Sequence, residues 1–316
     1  MMKFDTDNVK LIMRYKKILP SAQGMAIYGD SAFILHHTGE CAIYNLKTKD
    51  PKPEVRFRLG SWNSGTPNEK YINHANQCMF SSRHLNGNPL PLLYVTTGNA
   101  GGGDENGYYY RCAVENINVE RDSTDKAVWA KSERIQTISY RNDGIERVNW
   151  ETPCWGCPAW FVDSENSSLY MFSARYRTTE AFLQYYDRNS YIITRFPLPD
   201  AADGGLVILT AKDIEDQFLA PFNILFTQGG MICRDKLFYT FGLGDAHYPI
   251  GLRVYDLKER CQAAAIDLST SAMGAEEIES CSFYHGELLC NTNAETGGIF
   301  SLGRSIWDKF CADKTV

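Results

Sequence analysis

Six polar residues of this chain stand where apolar runs begin. They are Gln23, Asn76 with His74 two positions before it, Gln228, and Glu279 with Glu277 two positions before it. Side-chain amides donate and accept hydrogen bonds at once, while His and Glu exchange protons near neutral pH. Brought to one place, these groups would recognise a small polar ligand of glycan type. Glu279 as acid or base, with His74 as its partner, would also suit a carbohydrate-active hydrolase or lyase. The plainer alternative is a polar ring satisfied by neighbouring backbone and water. Tyr28, Tyr71, Trp155 and Tyr248 offer stacking surface for a sugar or base, although aromatic side chains more often serve the core.

Other candidate motifs yield plainer readings. The stretch TTGNAGGGDENGYYY lacks the Gly-Lys-Ser/Thr ending of a phosphate loop, and its Asp104, Glu105 and Asn106 do not follow calcium-loop spacing, so it reads as a hairpin loop. Cys154 and Cys157 have the spacing of a zinc or redox half-site but no second pair, so buried thiols are expected. Alternation along a strand sends His36 and His37 to opposite faces, against a joint metal site, and His247 and His285 lie in loop and turn sequence. No Gly-x-Ser-x-Gly elbow and no His-Glu-x-x-His helix is present, and neither a metal nor a cofactor is expected.

The elements that must position the six residues repeat. A polar residue, an apolar stretch, a turn and a second apolar stretch recur from Gln23, Asn76, Gln228 and Glu279, and more loosely from Cys154. Each copy continues into a further strand: 42–46, 113–117, 183–187, 253–257 and 298–302. Four then offer a fourth strand, from 53, 132, 191 and 261. The fifth lacks one, and the strand-like NVKLIMRYKKIL near the N-terminus supplies it. Antiparallel four-stranded units recurring every ~50 to 80 residues are the pattern of a β-propeller, and ring closure removes free sheet edges. The expectation is an all-β single domain over 1–316 with five blades; a sixth, irregular one around Arg141–Trp150 is the alternative. Innermost strands line the central channel, so the six polar residues should gather at one mouth. Thr210 and Asp213 form a capping-box pattern, which predicts a short helical insertion near 210–219.

Composition narrows the functional classes. With 32 Lys and Arg against 38 Asp and Glu, the net charge is −6, which argues against nucleic acid or an anionic membrane as partner. No signal-peptide pattern opens the sequence and no apolar stretch reaches ~18 residues, so a cytoplasmic location with reduced cysteines is expected. The Gln-Gly-Met start, His-Ala-Asn at 74–76 and Pro-Leu-Leu-Tyr-Val at 91–95 resemble a group of uncharacterised β-propeller proteins of gut-type bacteria. That resemblance implies the propeller fold and no particular activity. Five-bladed propellers also carry glycoside hydrolases and lectins, which makes carbohydrate the expected ligand class. Gln23, Asn76 and Gln228 stand where such hydrolases place catalytic acids, which favours binding over hydrolysis. A protein-partner scaffold is the third reading.

Overall fold

The apolar runs of the sequence become strands buried on both faces, because each sheet is pressed between two others. The computed structural model describes residues 4–16, 21–62, 74–75, 77–96, 109–141, 155–174, 191–220, 226–293 and 297–312. The ring is closed by strand β1 (Lys10–Arg14). Blade 1 holds β2 (Ala22–Tyr28), β3 (Ser31–His36), β4 (Glu40–Asn45) and β5 (Val55–Arg58). Blade 2 holds β6 (Cys78–Phe80), β7 (Leu93–Thr96), β8 (Tyr109–Arg121) and β9 (Ala127–Tyr140). Blade 3 holds β10 (Trp155–Asp163), β11 (Ser168–Ala174) and β12 (Tyr191–Pro197), and blade 4 holds β15 (Thr227–Cys233), β16 (Lys236–Phe241), β17 (Gly251–Asp256) and β18 (Cys261–Asp267). Blade 5 holds β19 (Glu277–Tyr284), β20 (Glu287–Asn293) and β21 (Gly298–Ser301), and helix α1 (Ser305–Phe310) follows it. The protein is a five-bladed β-propeller.

Closure follows the sequence expectation. Strand β1 pairs antiparallel with β21, Lys10 opposite Ser301 and Arg14 opposite Gly298, so the N-terminal segment becomes the outer strand of the last blade. The apolar core is a belt of inter-blade layers. Phe33, Leu35 and Cys41 of blade 1 pack with Cys78, Leu93 and Val95 of blade 2. Across the closing seam, Met13 and Ile299 meet Met25 and Ile34. No described helix is long and apolar enough to cross a membrane.

Blade 3 departs from the expected strand order. Segment 191–197 pairs directly with β11, Ser168 opposite Pro197, and is therefore the third strand of its blade. The fourth is β14 (Asp216–Ala220), Tyr191 opposite Ala220. Residues 183–187, expected as the third strand, lie outside the described residues. Between β12 and β14 the chain visits blade 2, where β13 (Gly205–Leu209) pairs in parallel with β9 as a fifth strand.

The helix expected near 210–219 is corrected by the same path. The capping box is present, with Thr210 accepting from Lys212 N at 3.3 Å and Asp213 accepting from Thr210 N at 2.7 Å. It caps only a 3₁₀ turn, Ala211–Asp213, because β12 offers an open ladder that draws residues 216–220 into a strand. The Cys154/Cys157 pair, residues 104–106 and the 142–150 stretch fall outside the residues described or described with side chains.

Candidate functional site

A bulge in the innermost strand aims the polar residues. In β2 the register shifts between Ala22 and Met25, in β15 between Thr227 and Gly230, in β19 between Ile278 and Ser280, and in β10 between Trp155 and Ala159. Gln23, Gln228 and Glu279 are the side chains at the bulges of blades 1, 4 and 5. An extra residue opposite the partner strand re-aims a side chain that regular alternation would fix. All innermost strands run the same way, so these bulges share one mouth of the channel.

There the residues meet in amide–carboxyl pairs. Gln23 Nε2 donates to Glu279 Oε1 at 3.0 Å, joining blade 1 to blade 5. Gln228 Nε2 donates to Glu277 Oε1 at 2.9 Å, joining blade 4 to blade 5. The two glutamates therefore serve different amides, since the bulge between them interrupts the alternation that the sequence suggested. Asn293 Nδ2 contributes a longer bond to Glu277 Oε2 at 3.4 Å, and Asn291 Nδ2 donates to the Gln23 carbonyl at 2.6 Å.

Glu279 is 1% exposed. Burial pushes its carboxyl well above the ordinary carboxylate range, and the charge of Glu277 adds to the rise. The Asn293 and Gln23 amides oppose that rise, and no described donor lies at hydrogen-bond distance from Glu279 Oε2 or from the buried Gln23 Oε1. If protonated, Glu279 can complete an acid–amide pair by donating its O–H to the Gln23 amide oxygen. Glu277, half-buried, is raised by the same desolvation and held back by its amide bonds.

His74 stands beside blade 1. The N–H of its neighbour Ala75 reaches the His37 carbonyl at 3.3 Å, and Gly24 N donates to the Ala75 carbonyl at 2.9 Å. Burial lowers the His74 pKa and His37 lowers it further, so the neutral imidazole is favoured. Asn76 lies outside the described residues, as do Tyr71 and the side chain of Trp155.

Two aromatics divide between the ends of the ring. Tyr28 sits at the far end of β2, about 17 Å from Gln23 along the strand, with its ring 5.8 Å from that of Phe80; the expectation that it lines the same mouth is corrected. Tyr248 belongs to the 242–250 loop, which leaves β16 at Phe241 opposite Thr227 and so lies at the mouth. It meets Phe226 edge-on at 4.4 Å, and Phe226 is 45% exposed with a left-handed backbone (φ 54°).

Sequence reasoning missed Gln77. This fully buried residue follows the expected Asn76 by one position, and its Oε1 accepts from Gly230 N at 2.6 Å. Blades 2 and 4 are not neighbours in the ring, so this bond crosses the channel, while Gln77 Nε2 has no partner. His37 Nδ1, Ser280 Oγ and Asn291 Oδ1 are further buried atoms without partners. The run Asn291-Thr292-Asn293, polar at the mouth end of an apolar strand, was the available signal for blade 5.

No protein-family model matches the sequence, and no curated protein does. Among solved structures the chain is similar to a glutaminyl cyclase of Myxococcus xanthus, at 11% identity and a TM-score of 0.46 over 93% of this chain and 94% of that one. It is also similar to a putative oxidoreductase (glucose dehydrogenase) of Thermus thermophilus, at 10% identity and a TM-score of 0.42 over 93% and 98%. These are likenesses of chain architecture, and the five-bladed assignment rests on the strand pairing above.

Proposed function

We propose that the protein binds a small, neutral, hydroxyl-rich ligand of glycan type at the channel mouth, through Gln23, Glu279, Gln228 and Glu277, with His74 at the blade 1 side. The observation that carries this reading is the Gln23–Glu279 pair, a buried carboxyl favoured as an acid beside an amide oxygen, between which a hydroxyl can insert. A sugar hydroxyl accepts from the first and donates to the second. An anionic ligand is disfavoured, because two carboxyl groups meet at the mouth and no cationic side chain is among their described contacts. Phe226 and Tyr248 supply rings for the apolar face of a sugar.

Acid–base catalysis by Glu279 with His74 has less support, since no described hydrogen bond links the two side chains. Binding is accordingly the preferred reading. A thermal-shift panel of neutral and charged saccharides, nucleotides and divalent ions tests it, because a ligand specific for the folded state raises the melting temperature with saturation. The expected result is a neutral-saccharide hit whose affinity falls tenfold or more in Gln228→Ala and in Gln23→Ala. A hit unchanged in both variants would place binding elsewhere.

A further inference from the structure

Two loops leave blade 4 on the mouth side of the ring. Strand β16 ends at Phe241 opposite Thr227, and β18 ends at Asp267 opposite Gly251, so the 242–250 and 268–276 loops start from the same end of the blade as Gln228. Each is fixed by its own hydrogen bonds. Asp245 Oδ1 accepts from His247 N at 2.8 Å and Tyr248 N at 2.7 Å, and the Tyr248 carbonyl accepts from Leu243 N at 2.9 Å. In the second loop Ser271 N donates to the Leu268 carbonyl at 3.0 Å, Gly274 N to the Ser271 carbonyl at 2.9 Å and Glu276 N to the Met273 carbonyl at 3.0 Å. Met273 is buried in the apolar cluster of blades 4 and 5 and anchors that loop.

Between the loops lies a cleft of about 400 Å³, within the ~300–1,000 Å³ usual for small-molecule sites. Gly244, Asp245, Ala246 and Pro249 line one wall, and Ser269 and Ala275 the other. The loops touch at Gly244, where a Cβ would lie 2.7 Å from the Ala275 carbonyl carbon and 2.8 Å from that of Glu276. Ala275 stands two residues before Glu277, and Phe226, whose ring meets Tyr248 at 4.4 Å, stands two before Gln228; two residues span at most ~7 Å of backbone. The cleft therefore starts beside the Gln228–Glu277 pair. Ser269 follows the end of β18, the outermost strand of the blade, and three spacings of ~4.8 Å, ~14 Å in all, separate β18 from β15. Asp245 is the one charged side chain on the described walls, and the rest is small side chains and backbone. Such walls suit hydroxyl groups, which donate to a carboxylate and pair with backbone, and offer no cation to an anion.

We propose that this cleft is a second saccharide subsite, so that the neutral ligand of the mouth is an oligosaccharide whose chain runs outward over blade 4 with its next units between the two loops. The inference rests on the mouth reading above and narrows it from a hydroxyl-rich molecule to a chain of at least two units. Tyr248, on the loop that forms one wall, and Phe226, next to the start of β15, offer a ring face to the unit that joins mouth and cleft. Because both loops are already tied internally, ordering them costs little when a chain binds.

Calorimetric titration of the folded full chain with glucose, galactose, mannose and N-acetylglucosamine, and with the di- and trisaccharides of each, tests the assignment. The expected result is at least one series whose affinity rises tenfold or more from monosaccharide to trisaccharide. Ala246→Trp and Ala275→Trp place a large ring in the cleft from opposite walls, and both positions are exposed, so the fold is spared, as an unchanged melting temperature would show. In each variant the gain with chain length should vanish while monosaccharide affinity stays within twofold of wild type. Gln228→Ala should weaken every member of the series. A gain that survives both tryptophan variants, or a series that binds without any gain, overturns the cleft subsite and leaves the mouth reading standing. Trisaccharide affinity unchanged in Gln228→Ala and in Gln23→Ala overturns the mouth reading and the extension from it, as does the absence of binding by every saccharide in the set.

Discussion

Burial of Glu279 penalises its charged form and so raises its pKa in the folded chain. The folded value lies above the unfolded one, so stability falls as pH climbs from the ordinary carboxylate range of about 4.3 through the raised value, by about 1.4 kcal/mol for each pKa unit of difference. Glu279→Gln removes that loss while keeping an oxygen for the Gln23 amide. Its melting temperature relative to wild type should therefore be higher at pH 8 than at pH 4, as read by calorimetry at both pH values; a difference independent of pH would contradict the assignment. Glu115 is a buried carboxyl surrounded by donors. Its two oxygens take Gly60 N at 2.8 Å, Ser61 N at 2.9 Å, Ser61 Oγ at 2.5 Å and Ser132 Oγ at 2.6 Å, which tie the 60–61 segment to blade 2. Glu115→Ala orphans four donors, and chemical denaturation should show a loss of about 3 kcal/mol or more. Gln23, Gln228 and Glu279 were legible because a polar residue at the head of an apolar strand has few other reasons to be there. Gln77 was not, since a shift of one residue separates it from Asn76 and register is fixed by pairing that the sequence does not display. Glu115 lies within AVENI, where strand alternation alone makes it look solvent-facing.

At the scale of elements, the bulged inner strands leave little room for side chains. A Cβ on Gly230 would overlap the Phe238 carbonyl, whereas one on Gly29 (φ 56°) would meet nothing within 4 Å. Gly230→Ala should cost about 3 kcal/mol or more through the clash, and Gly29→Ala about 1 kcal/mol through backbone strain alone. Urea titrations of the two variants decide between steric and conformational roles, and equal losses would count against the bulge geometry. The hairpin pattern of blades 1, 4 and 5 was readable from alternation and turns such as Gly29-Asp30 and Arg234-Asp235. The excursion of β13 was not. GLVIL has the run length of a strand, but nothing in it says that its partner is β9 of the preceding blade, and the Thr210–Asp213 box marks the start of a helical turn without setting its length.

Across the whole molecule, two features hold the ring. Strand β1 closes blade 5 with the other terminus of the chain, and the path from β12 through β13 to β14 laces blade 3 to blade 2. Removing residues 1–16 bares the edge of β21 and takes Met13 from the seam packed against Met25 and Ile34. The truncated chain should lose cooperative unfolding and self-associate, and a synthetic peptide covering residues 4–16 should restore a single transition in calorimetry. A truncated chain that melts like the full one would show that closure contributes little. The circular arrangement itself was legible from the repeat, because a missing outer strand in the last copy and a spare strand at the start of the chain fit each other.

In the proposed complex, Glu279 offers the proton of a carboxylic acid to a neutral ligand at the channel mouth. The direct measurement is the titration of the Glu279 carboxyl by carbon-detected NMR, assigned by its absence in Glu279→Gln, with and without the saccharide that the panel selects. The expected midpoint lies well above the ordinary carboxylate range and rises further when the saccharide binds, since the bound hydroxyl accepts the proton's hydrogen bond. A midpoint near 4, or one that the saccharide leaves unmoved, would contradict it.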